Sequence, residues 1–277
     1  MQNPSLSQIV GNELYISHSQ INTYLNCSLR YELQYIRQLP PERVSIALMF
    51  GSAIHAAVEL YFRSLKNQGR IEPLEALWQR FEDCLSLDLD NTDVPVIYKR
   101  DMPDRAAAIE MGKTMIETFH DSVDLTEMDI VDVELPLSAT LYTDTGEPTD
   151  YKLFGVLDLV LRDAKGQLVV VDVKRAAKAI SQSMADDDSQ MSAYAYLVSA
   201  NHLAPAMGEV KGQFLALRKL KQPRLEQVST IRTPFHRKRF ARMANIVLSA
   251  IENGIFLPRP SWRCGDCGFQ SACRDWI

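Results

Sequence analysis

The sequence predicts an α/β protein in which helices wrap a small mixed β-sheet. Helical periodicity dominates the first 125 residues, and strand-like alternation of apolar and polar residues begins at Met128. Three of the five cysteines lie in the last fourteen residues. In a cytosolic chain such a cluster indicates metal ligation before disulfides. We therefore expect a mixed sheet core that is closed by a cysteine-rich C-terminal segment.

Helices are predicted throughout the N-terminal region, residues 1–125. Helical periodicity marks four segments: one that opens at Ser17 or Ser19 and is broken at Pro40-Pro41, and others over about residues 45–65, 73–88 and 103–122. In the first segment, Ile21, Tyr24 and Leu25 lie on one apolar face at helical spacing. This region is expected to supply helices that pack on the sheet.

Strands dominate the predicted core, residues 126–233, and a helical tail follows. The predicted strands cover residues 130–135, 153–161, 167–173 and 210–217, with a turn at 163–166 and a helix from Asp186 to about Ala200. The last part, residues 234–277, combines a basic helix stopped by Gly254 with the cysteine-rich tail. We expect the three parts to form one integrated domain.

Length and composition are those of an ordinary globular protein. The chain has 277 residues, of which 46% are hydrophobic and 23% are charged, so it can bury a sizeable core. No apolar run reaches membrane-spanning length, and the first residues lack the basic and apolar regions of a secretory signal. A cytoplasmic location is therefore expected.

Two acids and a lysine lie close together on the predicted hairpin. Asp158 stands within one apolar strand and Asp172 near the end of the next, where a carboxylate is costly without a compensating cation or donor. Lys174 projects to the same face as Asp172, because side chains alternate along a strand. Mg²⁺ or Mn²⁺ prefers such carboxylate oxygens, and the Val173 carbonyl offers a further ligand. The alternative is a cross-strand salt bridge without a catalytic role.

The order and spacing of these residues resemble those of the PD-(D/E)XK nucleases of the RecB type. The resemblance covers about residues 17–276 and is carried by Gly51-x3-His55, Gly155-x2-Asp158, Asp172-x-Lys174 and Gln190-x3-Tyr194. It implies a restriction-endonuclease-like fold in which the helical regions surround a nuclease core. Divalent-metal-dependent hydrolysis of phosphodiester bonds is the activity that this resemblance implies.

The resemblance also implies a role for each matching residue. Asp158 and Asp172 match the metal-binding acids and Lys174 matches the catalytic lysine. His55 matches a histidine that adds a metal ligand, although taken alone it would be an ordinary core histidine. Gln190 and Tyr194 match a motif that contacts both the site and DNA, and they lie one helical turn apart.

The cysteines form a second constellation. The tail has the pattern Cys264-x2-Cys267-x5-Cys273, and Cys27 is the remaining plausible thiolate, since Cys84 lies in a helical segment and is expected to be an inert core residue. Four thiolates can hold tetrahedral zinc or a [4Fe–4S] cluster, and spacing alone does not separate the two. Reduced cysteines without a metal are the third possibility.

The cysteine pattern resembles that of the iron–sulfur nucleases, among them the AddB nuclease domain and the exonuclease of CRISPR adaptation. The opening pattern of those proteins matches Ser17, Ser19, Ile21, Tyr24 and Cys27. The resemblance implies a [4Fe–4S] cluster that joins the two ends of the chain and is largely structural.

Charge is distributed unevenly along the chain. The net charge is −5 overall, yet residues 211–242 carry ten Lys and Arg against one acid, Glu226. This stretch, with Arg237, Lys238 and Arg239 at the start of the basic helix, could track the phosphates of a nucleic acid. The equal alternative is an ordinary solvated face.

The sequence as a whole predicts a metal-dependent DNA exonuclease that prefers single-stranded ends. It would act in recombination or repair, phage replication or CRISPR adaptation. No Gly-x4-Gly-Lys-Ser/Thr motif occurs in the chain, so a helicase or recombination protein would be a separate partner. The alternative from another class is a DNA-binding or assembly module, with a dormant nuclease site and a structural Cys₄ metal centre.

Overall fold

A mixed β-sheet forms the centre of the fold. The computed structural model describes residues 13–143 and 145–276. The strands in chain order are β1 (Leu14–Ser17), β2 (Val44–Ser45), β3 (Val96–Ile97), β4 (Met128–Tyr142), β5 (Pro148–Asp163), β6 (Leu168–Ala176), β7 (Val210–Arg218) and β8 (Arg224–Arg232). Six of them form one mixed sheet, and β2 pairs with β3 in a small separate sheet.

The long strand β5 pairs with three other strands. One edge runs antiparallel to β4, and the opposite edge pairs in parallel with β1 over residues 151–154 and antiparallel with β6 over residues 159–162. Strand β7 lies parallel to β6, and β8 lies antiparallel to β7. Residues 155–158 of β5 have no strand partner on the second edge within the described chain, and this opening between β1 and β6 includes Asp158.

Nine helices are described around the sheet. In chain order they are α1 (His18–Asn26), α2 (Ser28–Tyr31), α3 (Ile46–Gln68), α4 (Leu74–Asp90), α5 (Arg105–Ser122), α6 (Gln182–Asp187), α7 (Ser189–Ala200), α8 (Pro234–Glu252) and α9 (Gln270–Arg274). A π-helical turn (Glu32–Ile36) follows α2, and a 3₁₀ turn (Trp262–Asp266) precedes α9. Within residues 13–143 and 145–276 this arrangement agrees with the predicted α/β fold class.

The helices cover both faces of the sheet. On one face, α3, α4 and α5 pack against alternate strand residues that include Leu159 and Val171. On the other face, α7 and α8 pack against residues that include Val160 and Val170. Because side chains alternate along a strand, apolar residues on both sides bury the sheet in a three-layer arrangement. The candidate catalytic residues lie near the opening in the sheet between β1 and β6.

Two predicted helices are interrupted. The first, expected to continue to Pro40-Pro41, stops at Cys27, which has an extended backbone with φ −164° and ψ 104°. The second, expected from Asp186 onward, is divided into α6 and α7. Asp188 has an extended backbone there, and its carboxylate accepts a hydrogen bond from the Met191 N–H at 2.7 Å. The prediction of continuous helices was therefore wrong at both places, because an N-cap residue is not helical.

Helix α3 is long and apolar enough by composition to cross a membrane. Its best window has a mean hydropathy of 1.2, and 56% of that window is buried inside the protein. Its residues Phe50, Ile54 and Phe62 form part of the core against α4 and α5. Helix α3 is therefore apolar because it is a core helix.

Candidate active site and cysteine centre

Asp158 and Asp172 meet where β5 pairs with β6. Leu159 pairs with Val171 in the antiparallel ladder, so the next position along each strand places the two aspartates side by side. The Asp172 residue is 1% exposed. Asp158 Oδ2 accepts a hydrogen bond from the Val173 N–H at 2.8 Å. The hairpin therefore brings the two acids together, while the proposed use of the Val173 carbonyl as a ligand stays a prediction.

Lys174 connects the acids to helix α7. Its ammonium lies 2.9 Å from Asp172 Oδ2 and also donates a hydrogen bond to Gln190 Oε1. Gln190 Nε2 in turn donates to the Tyr194 hydroxyl oxygen at 2.8 Å. The chain of contacts runs from β6 to one face of α7, because residues four apart lie on the same side of a helix. All five predicted catalytic residues are thus in one place, and their roles stay predictions.

Helix α3 and strand β4 supply two further groups. His55 Nδ1 lies 3.7 Å from Asp158 Oδ2. Glu134 lies between Val133 and Leu135, which pair with Leu159 and Leu157, and so it faces Asp158 across the ladder. Potential ligand atoms of His55, Glu134 and Asp158 all lie within 4.8 Å of one another. Glu134 therefore completes a group that could hold a metal ion.

The sequence reasoning did not identify Glu134. A glutamate on an alternating strand is an ordinary solvent-facing residue by pattern, so its charge alone gave no signal. Its backbone is unusual, with φ 52° in the left-handed region. Such a conformation is uncommon for a residue other than glycine, and outliers of this kind are concentrated at functional sites. The alternation of β4 against β5 was the one signal that could have placed it opposite Asp158.

Burial dominates the electrostatics of these acids. It raises the pKa of Asp158 and of Asp172 above their ordinary values, while His55 opposes the first shift and Lys174 opposes both. Burial, followed by the negative charge of Asp158, raises the pKa of Glu134 to about 8. The crowded carboxylates therefore lack enough positive charge around them when all are ionised.

Lys174 behaves differently from the acids. Burial disfavours its ammonium, but the surrounding carboxylates, with Asp172 the largest contributor among them, together outweigh burial, and the pKa of Lys174 is raised. The lysine is therefore a charged hydrogen-bond donor at neutral pH. Such a group can orient a water or a phosphate oxygen, whereas a neutral amine would be needed to take a proton.

The side chains around the two aspartates suit a divalent cation. They line an open cavity of about 590 Å³, which also includes Glu134, His55 and Lys174. Within the described residues, buried Asp172 Oδ2 accepts no hydrogen bond of normal geometry, even though the Lys174 ammonium is near it. Carboxylate oxygens are the ligands that Mg²⁺ and Mn²⁺ prefer, and a neutral imidazole can add to them. The donor set therefore fits the predicted metal.

A comparison with protein families agrees with this geometry. The model of the PD-(D/E)XK nuclease superfamily matches residues 15–274. The chain belongs to this superfamily. Membership confirms the predicted nuclease fold and supports an activity on phosphodiester bonds, for which divalent metals are typical in the superfamily. It does not extend to the RecB-type or iron–sulfur branch.

Two solved structures resemble this superfamily member. One is from Eubacterium rectale and is described as a "putative exonuclease"; it is 14% identical, has a TM-score of 0.56, and the match covers 100% of this chain and 94% of that one. The other, SSO0001, is also 14% identical, with a TM-score of 0.37 and coverage of 90% and 95%. No curated protein matches the chain. At such identity the first likeness supports the fold alone.

The four predicted cluster cysteines lie around one cavity in this nuclease-superfamily chain. Cys27, Cys264, Cys267 and Cys273 all line a space of about 80 Å³. Burial raises the pKa of the Cys273 thiol, and the other three cysteines add to this shift through their charges. Residues more than 230 positions apart in sequence therefore meet at one site, as the cysteine pattern predicted.

Hydrogen bonds hold the two cysteine-bearing segments together. The Leu29 N–H donates to the Leu257 carbonyl at 3.1 Å, and the Leu257 N–H donates to Ser28 Oγ at 2.8 Å. The Glu42 N–H donates to the Gly268 carbonyl at 2.7 Å. A small apolar cluster of Leu29, Leu33 and Phe269 packs against three of the cysteines. The N-terminal and C-terminal segments thus contact each other directly. Cys84 lies elsewhere, on α4, where it is partly buried against the core.

The prediction that Arg237 contacts nucleic acid was wrong. Arg237 is 6% exposed, and its guanidinium donates to the carbonyls of Gly208 at 2.9 Å and Ala206 at 2.7 Å. A buried guanidinium with these partners is structural and cannot reach a phosphate. Lys238 and Arg239, the next two residues of α8, are exposed and remain candidates.

Other cations of the basic stretch are also engaged within the protein. Ion pairs join Lys211 to Asp163 at 2.5 Å, Arg218 to Glu226 at 2.7 Å and Lys219 to Asp101 at 2.5 Å. Arg232 is fully buried and donates to the Ala185 carbonyl at 2.6 Å. The count of ten cations in sequence therefore overstated the positive charge that this stretch presents to solvent.

The difference between Arg237 and its neighbour gives a stability test. Arg237→Ala should lower the free energy of unfolding by about 2 kcal/mol, because it removes a buried side chain whose charged guanidinium donates to backbone carbonyls. Lys238→Ala on the same helix should change it by less than about 0.5 kcal/mol. Urea unfolding monitored by circular dichroism measures both. Equal stability of the two variants would contradict the structural role of Arg237.

Proposed function

We propose that this chain is a divalent-metal-dependent deoxyribonuclease that degrades DNA from its ends, with a preference for single strands. The observation that carries the proposal is the meeting of Asp158, Asp172 and Lys174 beside His55 and Glu134 in one open cavity. A buried acid pair with a protonated lysine is poorly suited to a purely structural salt bridge, since two carboxylates face one ammonium. Superfamily membership supports the same activity.

Each residue of the cavity has a defined part in this proposal. Asp158, Asp172 and His55 would hold the cation, with Glu134 and the Val173 carbonyl as further ligands. The cation supplies Lewis acidity that favours attack of water on the phosphodiester and offsets its negative charge. Lys174, kept protonated by Asp172, would orient the attacking water and stabilise the charge that develops on the phosphate.

Gln190 and Tyr194 would hold that lysine in position. Gln190 accepts a hydrogen bond from the Lys174 ammonium and donates to the Tyr194 hydroxyl oxygen, so the two residues fix the lysine from helix α7. Burial, followed by the negative charges of Asp158 and Asp172, raises the pKa of Tyr194 well above its ordinary value. The tyrosine is therefore a neutral hydrogen-bonding group, and its proposed part is positioning within the site.

We further propose that the four cysteines hold a [4Fe–4S] cluster. What supports this proposal is that Cys27, Cys264, Cys267 and Cys273 line one cavity, in the pattern that resembles the iron–sulfur nucleases. Leu33 and Phe269 pack against the side of this site that carries Cys27, Cys267 and Cys273, while Cys264 is exposed. Zinc is the alternative occupant.

The proposed partners follow from the proposed substrate. Lys238 and Arg239 on the exposed side of α8 would contact DNA phosphates. Because the chain has no nucleotide-binding P-loop, duplex unwinding would require a separate helicase or recombination protein. Recombination or repair, phage replication and CRISPR adaptation are the proposed settings, in the cytoplasm.

The active-site assignment is tested by single substitutions. Asp158→Ala, Asp172→Ala and Lys174→Ala should each reduce DNA cleavage by at least about 100-fold, because each removes a ligand or a charged group that acts on the reacting phosphate. Digestion of end-labelled and circular DNA, single- and double-stranded, with Mg²⁺ or Mn²⁺ measures the loss and shows whether ends are needed.

The matched control is Asp150→Ala, since Asp150 is an exposed aspartate on the same strand β5, outside the cavity. It should retain full cleavage. Unchanged circular dichroism spectra would show that the inactive variants are folded. Cleavage that persists in all three active-site variants would remove the nuclease assignment, as would a wild-type protein that binds DNA and cleaves none of the substrates.

The cysteine assignment predicts linked loss of colour and stability. Anaerobically purified protein should be brown, with broad absorbance near about 400 nm from thiolate-ligated iron. Cys27→Ala should lose this absorbance and unfold at a lower temperature, because Cys27 joins the N-terminal segment to three distant cysteines and the cluster closes a very long loop. Cys84→Ala, the control, should keep the absorbance. Stoichiometric zinc without iron would contradict the iron–sulfur cluster. Full metal content in Cys27→Ala would contradict the role of Cys27 in joining the two segments through the metal centre.

A further inference from the structure

A second cavity lies beside the catalytic cavity. It encloses about 510 Å³, and Val156 and Gln190 line both spaces, so the two cavities are neighbours. Four tyrosine and phenylalanine side chains form part of its wall: Tyr15, Tyr35, Phe154 and Tyr194. A volume between about 300 and 1,000 Å³ is usual for a site that binds a small ligand or part of a larger one. This space is outside the group of residues that would hold the metal.

The aromatic rings are fixed by the backbone around them. Tyr15 lies on β1, where it pairs with Lys152 of β5, and its ring meets the ring of Phe154 edge to face, with centroids 6.3 Å apart. Tyr35 lies on the π-helical turn, and its ring centroid is 5.1 Å from that of Tyr31. Because strand pairing and ring contacts hold these side chains in place, they can receive a planar group with little loss of side-chain freedom.

The rest of the wall combines apolar residues with uncharged polar groups. Hydroxyl and amide groups of Ser17, Ser19, Gln20 and Asn22 line it, and among its described lining residues there is no Asp, Glu, Lys or Arg. His18 is neutral there, since burial lowers its pKa to about 4. A phosphate would require cationic donors and a metal ion would require acids. The chemistry instead suits a neutral, planar group with hydrogen-bonding edges.

We propose that this cavity, hereafter the base cavity, binds an unpaired nucleobase of the nucleotide adjoining the scissile phosphate. The inference rests on the proposed nuclease function and extends it to the substrate class. The base would stack on the Tyr35 ring, and this stacking would be tolerant of sequence, because every base presents a π-face. The neighbouring catalytic cavity would receive the phosphate of the same strand.

This arrangement favours single strands over duplexes. A base inside a duplex is stacked and paired, and placing it in the base cavity requires that it leave the stack, which costs least in a single strand. The base cavity therefore gives a physical reason for a preference that the catalytic residues alone do not determine.

The test is a scan of abasic positions in a single-stranded oligonucleotide. Binding is measured by fluorescence anisotropy with the full-length Asp172→Asn protein, so that cleavage does not consume the ligand. An abasic residue at one position should weaken binding about 10-fold, and other positions should have little effect, because one stacked base is lost. In a second variant that also carries Tyr35→Ala, this position-specific loss should disappear. Tyr35→Phe in the same background should restore it, since Phe keeps the stacking ring.

Tyr142→Ala serves as the matched control, because Tyr142 is exposed on β4 and lines neither cavity. Its abasic profile should equal that of the parent protein. A flat profile in the parent would overturn the proposal, as would a Tyr35→Ala profile that keeps the position-specific loss. Cleavage assays with the wild-type protein separate the two hypotheses: position-specific binding without cleavage removes the nuclease and keeps the base cavity, and cleavage with a flat profile does the reverse.

Discussion

The buried carboxylate of Asp172 is the constraint on which the rest of the site depends. It lies beside Asp158 with 1% of the residue exposed, and Lys174 supplies one positive charge to this pair. Burying two carboxylates with one ammonium is unfavourable unless a further cation enters. The opening in the sheet between β1 and β6 leaves room for that cation on the side where the phosphodiester would approach. Glu134 and His55 line the same cavity as the two aspartates.

The remainder of the fold keeps this opening in place. The core helices α3, α4 and α5 hold His55 over one side of the sheet, and α7 holds Gln190 against Lys174 on the other. Helix α1 supplies Gln20 and Asn22 to the base cavity and ends at Cys27, so the N-terminal cysteine segment continues directly from the wall of that cavity.

Sequence reasoning located the central residues because their setting is unusual. Asp158 and Asp172 interrupt apolar strands, and a carboxylate there needs an explanation even before the fold is known. Glu134 had no such setting, so only strand pairing could place it. The prediction that Arg237 contacts nucleic acid was wrong for the opposite reason. The charge of a residue can be read from the sequence, but its burial cannot. Helices from all three predicted parts of the chain pack on the one sheet. The boundaries between these parts stay a prediction.

The most direct test of the central claim is the effect of Mn²⁺ on thermal unfolding of the wild-type protein and of Asp172→Asn. If the cation binds the folded protein, a free Mn²⁺ concentration about 100-fold above its Kd should raise the wild-type Tm by about 5–10 °C. The Asp172→Asn protein, which has lost one of the buried charges, should show little or no rise. An unchanged wild-type Tm, or an equal rise in both proteins, would contradict the claim that the buried acids form a cation site.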